Sequence, residues 1–598
     1  MLPSRFIRID EVPLSENGKV DANALPDPRG LAAATLSHFA APRNETEEKL
    51  AEIWAEVIGV EQVGIRDNFF ELGGDSIQAI QIVARSQRSG IKVATNQFFE
   101  SLTIEKLAKT ISQANPRLDS VELATIAEVS ESSLKNGLGN DKPVEIPLSP
   151  IQHWFLNDME MPVPHHWNQS VLLELDKGYD AKRFEAALKS TVSAHPMLWA
   201  RFQKTDQGWN QTIGSQVGTV EIETESVEFL DSDQFHHACL KWQSSLNLEH
   251  GPLFRLVVFN DPSGNRDRLL FVIHHLVVDT VSWQILLDDL IHLYKSRSSL
   301  PPSSDSFVKC VDYLRAKAAN VDSGSVAYWN GVLDSAKCFR LPLSRDCGST
   351  NEGSVFSVVR TLNGRDTQML LTEANEAFNT RPEQLMLAAL ALAITDWTND
   401  TGVVVNLESH GRDSFGLENL DLVRTVGWMT AVFPVVLEVD SDVTATVNRI
   451  KDQLNEVTSR GVEFGALKRF GKLNEGQIPL IPQILWNYLG VQNSEASGLI
   501  RPLQLQSQSC RADANLRQHP LEIAVRIRAG QMEFDLSCCN KSVDREVATK
   551  LANRFITRLT GILESCKGAD PNYSMAGLKK DALKDLRSAL SAMHEEKR

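Results

Sequence analysis

The chain has 598 residues, of which 42% are hydrophobic and 23% are charged, so it is long enough for roughly four folded domains. Its 61 Lys and Arg residues against 77 Asp and Glu residues give a net charge of −16, which argues against nucleic acid or an anionic membrane as a partner. The eight cysteines have no paired zinc-type spacing, the first ten residues have no apolar signal core, and no apolar run is long enough to span a membrane, so we expect a cytoplasmic protein.

The first part of the chain is expected to contain a short irregular segment and a small helical domain. Residues 1–43 are rich in Pro and Gly, lack helical periodicity and are too few for a domain. Residues 44–116 contain apolar residues at helical spacing, with an acidic first turn at Glu45, Glu47 and Glu48. This pattern predicts a small helical bundle.

A serine follows two glycines and an aspartate where the second helix of this bundle begins, in the string Phe69-Phe70-Glu71-Leu72-Gly73-Gly74-Asp75-Ser76-Ile77. By itself, Ser76 would be read as an ordinary helix N-cap. The complete string, however, resembles the phosphopantetheine attachment motif of acyl and peptidyl carrier proteins. The resemblance implies a four-helix carrier bundle in which Ser76 carries covalent 4'-phosphopantetheine, attached by a phosphopantetheinyl transferase.

The segment before the carrier supports this interpretation. Asn17-Gly18-Lys19-Val20-Asp21 resembles the closing motif of the adenylation domains of nonribosomal peptide synthetases, in which the lysine contacts the adenylate. The resemblance implies that residues 1–43 are the end of an upstream adenylation domain and that Lys19 is an idle remnant. After the carrier, residues 117–143 are polar, rich in Ser and aperiodic, which predicts a linker.

The rest of the chain alternates between strand-like and helical patterns, which predicts an α/β body of more than 400 residues in two lobes, 144–325 and 326–598. The strands are predicted at 171–175, 269–274, 403–407 and 435–439, and the helices at 183–193, 281–294, 382–397 and 545–564.

Two adjacent histidines end one of these strands, in the string Ile273-His274-His275-Leu276-Val277-Val278-Asp279-Thr280-Val281-Ser282-Trp283. A histidine in this position suits general acid–base catalysis, and Asp279 can brace the loop. A metal site is an alternative, although adjacent strand residues point to opposite faces. A second alternative is that both histidines are structural residues of the core with their ring nitrogens hydrogen-bonded. His165-His166 and His236-His237 lack the trailing Asp, and we interpret them as structural or surface residues.

This string resembles the HHxxxD signature of the condensation-domain superfamily, which has a chloramphenicol-acetyltransferase-like fold. Four further strings resemble motifs of its epimerisation branch. They are Pro147–Phe155 (PLSPIQHWF), Glu408–Asp413 (ESHGRD), Arg424–Thr430 (RTVGWMT) and Trp486–Gly490 (WNYLG). The sequence departs from the family patterns at Thr280, Ser409 and Asp413.

Epimerisation of an α-carbon requires that a proton leave one face and another arrive on the opposite face, which two acid–base groups achieve most simply. The resemblance and this chemistry together make His275 and Glu408 the expected catalytic pair. We expect Arg412, Asn487 and Tyr488 to hold an enolate oxygen or to orient Glu408. The supporting set is therefore His274, Asp279, Asp289, Arg412, Asn487 and Tyr488, with no metal.

The sequence thus predicts a carrier–epimerisation didomain that inverts an L-aminoacyl or peptidyl thioester tethered to Ser76. The expected partners are an upstream adenylation domain, a downstream condensation domain and the carrier-bound substrate. Two alternatives remain open: a condensation domain that forms amide bonds, and an inactive docking domain.

Overall fold

The computed structural model describes 21 stretches of the chain. They are residues 39–69, 72–74, 76–91, 93, 97–98, 101–113, 143–159, 161–214, 218–227, 232–261, 266–296, 299–300, 304–343, 350–412, 416–417, 420–458, 461–471, 473, 482–492, 499–503 and 510–566. Lys19, nearly all of the expected adenylation remnant and nearly all of the expected linker lie outside these residues, as does Asp413.

The expected carrier is a small bundle with helices α1 (Glu45–Ile58), α2 (Ser76–Arg88) and α3 (Ile104–Gln113). Three of the four expected helices are thus described, and the segment between α2 and α3 is described only in part. Helix α1 begins after Asn44, whose side chain accepts a hydrogen bond from Glu47 N, and ends at Gly59, which has a φ of 81°. Its fully buried Trp54 packs against Phe69 and Phe98, with ring centroids 5.3 Å away in both cases.

The first lobe of the body contains a five-stranded sheet and a three-stranded sheet. The strands are β1 (Val144–Ile146), β2 (Asn168–Leu175), β3 (Ala200–Thr205), β4 (Gly208–Ile213), β5 (Glu223–Ser226), β6 (Phe254–Asn260) and β7 (Arg268–His274). The helices are α4 (Pro150–His153), α5 (Ala181–Ser193), α6 (Asp233–Gln243), α7 (Thr280–Ser296), α8 (Phe307–Ala319) and α9 (Ser323–Ala336). A π-helical turn, Trp154–Asp158, follows α4.

The second lobe is built on a six-stranded sheet. The six strands of this sheet are β8 (Val355–Leu362), β9 (Gly402–Ser409), β10 (Ala431–Glu438), β11 (Ile484–Gln492), β13 (Leu521–Arg528) and β14 (Gln531–Cys539). A further strand from this part of the chain, β12 (Ile500–Leu503), belongs to the five-stranded sheet of the first lobe. The helices are α10 (Gly364–Leu371), α11 (Glu373–Phe378), α12 (Pro382–Thr398), α13 (Val443–Thr458), α14 (Gly461–Phe470) and α15 (Arg545–Ser565). Helix α12 is buried from Gln384 to Ile394 because it packs between α13, α15 and β9.

Strand order explains how the two lobes are joined. The second-lobe sheet has the order β10-β9-β11-β13-β14-β8, whereas β12 leaves it and pairs antiparallel with β2 in the first-lobe sheet, β12-β2-β7-β6-β5. A further bridge joins Trp167 to Arg511. The α/β two-lobed class and all eight predicted strands and helices of the body are confirmed. The lobe boundary stays a prediction, and α9 runs across the expected position.

No helix formed by the described residues has both the length and the apolar character that crossing a bilayer requires.

Candidate active site

The expected attachment residue Ser76 is the first residue of the 13-residue helix α2. Gly73 precedes it with a φ of +91°, a conformation that side chains rarely adopt, and a Cβ on Gly74 would lie 2.4 Å from the Phe69 ring. The two glycines therefore allow the tight turn that ends at Ser76. A helix N-terminus with free N–H groups suits a phosphodiester, so this local structure fits a phosphopantetheine group.

The two adjacent histidines have different environments. His274 ends β7 and is fully buried. Its Nε2 lies 2.8 Å from Pro164 O and its Nδ1 accepts a hydrogen bond from Leu276 N, so both ring nitrogens have partners and burial lowers its pKa to about 3. Among the described residues, no cluster of three or more His, Cys, Asp or Glu side chains is arranged to hold a metal ion.

The next residue, His275, lies in a 3₁₀ turn between β7 and α7 and is only partly buried. Its Nδ1 lies 2.8 Å from Val278 O, so Nδ1 carries the proton and Nε2 carries the lone pair. Gln169 Nε2 lies 3.0 Å from that lone pair, and the Trp428 ring packs against the imidazole with centroids 4.3 Å apart. Burial lowers the pKa of His275 to about 4, so the ring is neutral at pH 7.

The aspartate of the signature, Asp279, holds the two lobes together at this turn. It accepts hydrogen bonds from Arg412 Nη1 at 2.8 Å and Nη2 at 3.0 Å, from Met429 N at 3.1 Å, and from the backbone and hydroxyl of Ser282 at 2.8 and 2.7 Å. Burial acts to raise the pKa of Asp279, but Arg412 and Ser282 hold it below its usual range. Because Arg412 is committed to Asp279, we assign both residues to support of the loop.

A second buried carboxylate, Asp289, lies further along α7. Arg424 donates to both of its oxygens at 2.9 Å, and His195 Nε2 lies 3.0 Å away. Arg88, at the end of α2 in the carrier, also donates to it at 3.0 Å. Burial acts to raise the pKa of Asp289, whereas His195 and Arg424 keep it lowered. Asp289 is therefore the shared hydrogen-bond partner of Arg424, His195 and Arg88 beside α7.

The other expected catalytic group, Glu408, lies near the end of β9, opposite Val432 of β10. Asn487 Nδ2 on β11 donates a short hydrogen bond to Glu408 Oε2. Burial and the negative charge of Glu522 raise the pKa of Glu408 to about 7, although Arg511 and Asn487 act to lower it. Tyr488 follows Asn487 on the strand and packs against the hydrophobic core, and consecutive strand residues point to opposite faces. Asn487 thus contacts Glu408 directly, whereas Tyr488 follows it on the opposite face of the strand.

Arg511 connects the surroundings of His275 and Glu408. Its guanidinium lies 4.1 Å from the centre of the Trp167 ring and pairs with Glu352 at 2.8 Å and Glu522 at 3.3 Å. Its charge acts on the pKa of both His275 and Glu408, so both groups lie within its electrostatic range.

Four residues near the expected catalytic pair were not identified from the sequence. They are Gln169, Arg511, Glu522 and Trp428, of which Trp428 lies in the motif-like string Arg424–Thr430. Trp428 offered a signal, because it lies in a string that already resembled a family motif. The other three lie outside all the strings that resemble family motifs, and no residue pattern in the sequence indicates a role for them.

The departures from the family patterns lie near these groups. Thr280 is the first residue of α7, and Ser409 ends β9 opposite Ala431. Among the described residues, neither is a hydrogen-bond partner of the His275, Asp279 or Glu408 side chain.

Comparison with known proteins identifies both parts of the chain. Residues 143–582 match the family model described as "Condensation domain", and residues 48–111 match the one described as "Phosphopantetheine attachment site".

Similar proteins span the same two parts. The chain is 32% identical to tyrocidine synthase 2 of Brevibacillus parabrevis over 95% of this chain and 16% of that protein. It is also 30% identical to tyrocidine synthase 1 of the same organism over 98% of this chain and 54% of that protein. The chain therefore spans from about a sixth to about half of the length of these relatives.

Among solved structures, the epimerization domain from the third module of tyrocidine synthetase B is 27% identical to this chain. The TM-score is 0.64, and the match covers 71% of this chain and 97% of that domain. Because the first family model covers most of the body and the second covers the small helical domain, the chain belongs to the condensation-domain family and has a carrier domain, the site of covalent 4'-phosphopantetheine, ahead of its condensation-type domain.

Proposed function

We propose that the body epimerises the α-carbon of an L-aminoacyl or peptidyl thioester carried on Ser76. The observation that carries the proposal is the contrast between two partly buried acid–base groups from different lobes. His275 is neutral with its lone pair on Nε2, and Glu408 has a pKa of about 7. The solved epimerization domain with a TM-score of 0.64 supports the same assignment.

The proton balance of the reaction needs only these two side chains. When bound, the phosphopantetheine thiol carries the substrate as a thioester, whose carbonyl makes the α-proton more acidic. One group takes the α-proton, and the C–H electron pair moves into the enolate. The other group, protonated, donates to the opposite face of the α-carbon, so one proton leaves the substrate and one arrives. A pKa near 7 lets Glu408 serve in either direction at neutral pH.

Two buried polar atoms beside His275 are available to bind substrate. Gln169 Oε1 and Trp428 Nε1 have no hydrogen-bond partner among the described residues, and an unmade buried hydrogen bond is costly. We assign Trp428 Nε1–H to the developing enolate oxygen and Gln169 Oε1 to a substrate N–H. Asn487 orients Glu408, and Arg412 and Asp279 hold the loop that carries His275.

The proposal includes the partners that such a substrate needs. A phosphopantetheinyl transferase attaches the arm, an upstream adenylation domain supplies the amino acid, and a downstream condensation domain takes the D-product. Asp75 and Asp413 lie outside the described residues and enter none of these steps.

The test is a chiral assay on the full chain. A phosphopantetheinyl transferase transfers the L-aminoacyl-phosphopantetheine arm of an aminoacyl-coenzyme A to the Ser76 hydroxyl and releases adenosine 3',5'-bisphosphate. The amino acid is then hydrolysed from the carrier at successive times and resolved by chiral chromatography. The wild type should produce the D-isomer. His275→Ala and Glu408→Gln should each slow its appearance roughly 100-fold or more, the scale of a lost general acid or base.

Matched controls and an isotope measurement sharpen the result. Two control variants, His237→Ala and Glu546→Gln, make the same changes at exposed residues away from His275 and Glu408. Each should retain the wild-type rate. In heavy water, at least one catalytic variant should take up deuterium at the α-carbon without inversion, because one base can remove and return a proton on one face. Near-normal inversion by Glu408→Gln would remove Glu408 from the mechanism.

Amide-bond formation is the second candidate function, because the matching family model is described as a condensation domain. Supplying a second carrier loaded with an amino acid acceptor distinguishes the two functions. Dipeptide formation without D-product would favour condensation, and the absence of both products would favour an inactive docking domain.

A further inference from the structure

An apolar cavity of about 340 Å³ lies between the two lobes. It falls within the usual size of small-molecule pockets, about 300–1,000 Å³. Its apolar walls come from α4 and the following turn, α8 and α14. They include Ile151, Trp154, Val311, Leu314, Val462 and Phe464.

The cavity lies on the face of the second-lobe sheet that carries the Glu408 side chain. Asn406, Val432 and Pro434 line it. Asn406 is two residues before Glu408 on β9, and the strand register pairs Val432 with Glu408 and Pro434 with Asn406. Residues two apart, and residues directly opposite each other, share a face of a sheet. The cavity therefore adjoins the group that handles the α-proton.

Two indole rings lie between the cavity and His275. Trp154, in its wall, lies 6.3 Å from Trp428 between ring centroids, and Trp428 packs against His275. A substituent on an α-carbon held between His275 and Glu408 is therefore close to this space.

The charged side chains in the wall are already paired. Lys468 and Arg469 lie 3.1 and 3.9 Å from Asp158, and Lys337 lies 2.7 Å from Asp334. Two wall amides are paired as well: Asn406 lies 2.9 Å from His519, and Gln518 accepts a hydrogen bond from Trp154. Because most of the wall is apolar, a charged side chain would lose its hydration there without gaining an unpaired partner, and the wall favours an apolar occupant.

We infer that this cavity receives the side chain of the residue being inverted and selects for bulky apolar side chains, aromatic or branched aliphatic. The inference rests on the proposed epimerisation and adds its substrate class. A methyl side chain would leave most of the volume unfilled, and a charged one would lose its hydration in a largely apolar space whose charged groups already have partners.

One glycine allows the cavity to be filled without disturbing the fold. Gly465 lies within α14 and lines the cavity, and the nearest atom to a Cβ built on it would be Pro150 Cβ at 3.4 Å, an ordinary contact. Gly465→Leu therefore adds a side chain to the cavity and replaces a weak helix former. Gly561→Leu is the matched control, because Gly561 is an exposed helical glycine of α15 with nothing within 4 Å of a Cβ.

The experiment compares initial inversion rates for carriers loaded with L-phenylalanyl, L-leucyl, L-alanyl, L-aspartyl and L-lysyl groups. We expect the phenylalanyl and leucyl groups to exceed the other three by at least about tenfold, since one methylene alone discriminates roughly 10- to 200-fold in an apolar pocket. Gly465→Leu should reduce the phenylalanyl rate about tenfold or more and leave the alanyl rate within about twofold. Gly561→Leu should retain the wild-type order.

The outcomes separate the pocket from the proposed function. Failure of the wild type to invert any of the five aminoacyl groups, or a peptidyl group loaded in the same way, overturns both. Inversion that His275→Ala abolishes, but that does not depend on side-chain size or on Gly465→Leu, overturns the pocket alone. A peptidyl group whose rate falls in Gly465→Leu, while the phenylalanyl rate does not, would assign the cavity to the preceding residue and also overturn this inference.

Discussion

The contact between Asp279 and Arg412 should stabilise the two-lobed body strongly. Both residues are buried, with 2% and 3% of their surfaces exposed, and they belong to different lobes. Asp279→Ala removes the acceptor of five hydrogen bonds and leaves the Arg412 guanidinium buried without its counter-charge. Among the residues that the structure describes, the Arg412 side chain would then keep hydrogen bonds to the carbonyls of His410 and Thr425, at 3.0 and 3.2 Å, and to the Ser282 hydroxyl at 3.5 Å.

Removing one partner of a buried ion pair costs about 3–5 kcal/mol, and we expect a loss of this size. Asp334→Ala is the control, because it breaks an exposed pair with Lys337 that contributes about 1 kcal/mol or less. Denaturant unfolding of the full chain, followed by tryptophan fluorescence, measures both variants. The double variant Asp279→Ala with Arg412→Met should lose less than the sum of the two single variants, because the two residues are in contact.

This reasoning is refuted if Asp279→Ala unfolds at the same denaturant concentration as Asp334→Ala. A variant that loses D-product formation but keeps wild-type stability would instead place Asp279 in the chemistry. Low pH offers an independent check: because the folded-state pKa of Asp279 lies below its usual range, its stabilising contribution is complete above the unfolded-state pKa of about 3.9 and is lost as pH falls through the lower folded-state pKa.

Three further predictions concern single side chains. Ser76→Ala should prevent the mass increase that a phosphopantetheinyl transferase and coenzyme A produce in the wild type, and an increase that persists in intact-mass spectrometry would reassign the attachment site. Glu408→Gln should raise the melting temperature at pH 8.5 but not near pH 4. A carboxyl with a folded-state pKa of about 7 destabilises the folded chain, by at most about 3 kcal/mol, only at pH values where the same carboxyl is ionised in the unfolded chain. An equal gain in melting temperature at both pH values would contradict the raised pKa. Gln169→Ala should raise the pKa of His275 towards its usual value, because the Gln169 N–H stabilises the neutral ring and the variant removes it. The pH profile of inversion and the NMR signals of the ring measure this shift. An unchanged pKa would rule out the hydrogen bond between Gln169 and His275.

Local patterns in the sequence predict the secondary structure of the body closely. The helix expected at 382–397 occupies Pro382–Thr398, and the strand expected at 269–274 occupies Arg268–His274. Proline at the first helical position and a continuous apolar strand are local signals that need no distant partner. The course of Ile500–Leu503, which leaves its own lobe to pair with β2, has no such signal because strand pairing depends on the complete fold.

In the candidate site, as in the fold, short strings in the sequence identify residues, whereas the contacts of those residues depend on the tertiary structure. The sequence identified His275, Asp279, Glu408 and Arg412 as residues of interest, because each lies in a short string whose residue types and order carry the family resemblance. It left open whether Arg412 contacts substrate, Glu408 or another partner.

The tertiary structure decided these partners. In the fold, Arg412 pairs with Asp279, 133 residues away along the chain, and Asn487 donates a hydrogen bond to Glu408. Gln169 and Trp428 both contact the His275 ring. It also sets the protonation states, because burial and the charge of Glu522 determine the pKa of Glu408. Sequence by itself determines which chemical groups the chain can offer, whereas their burial, neighbours and charge states depend on residues that only folding brings together.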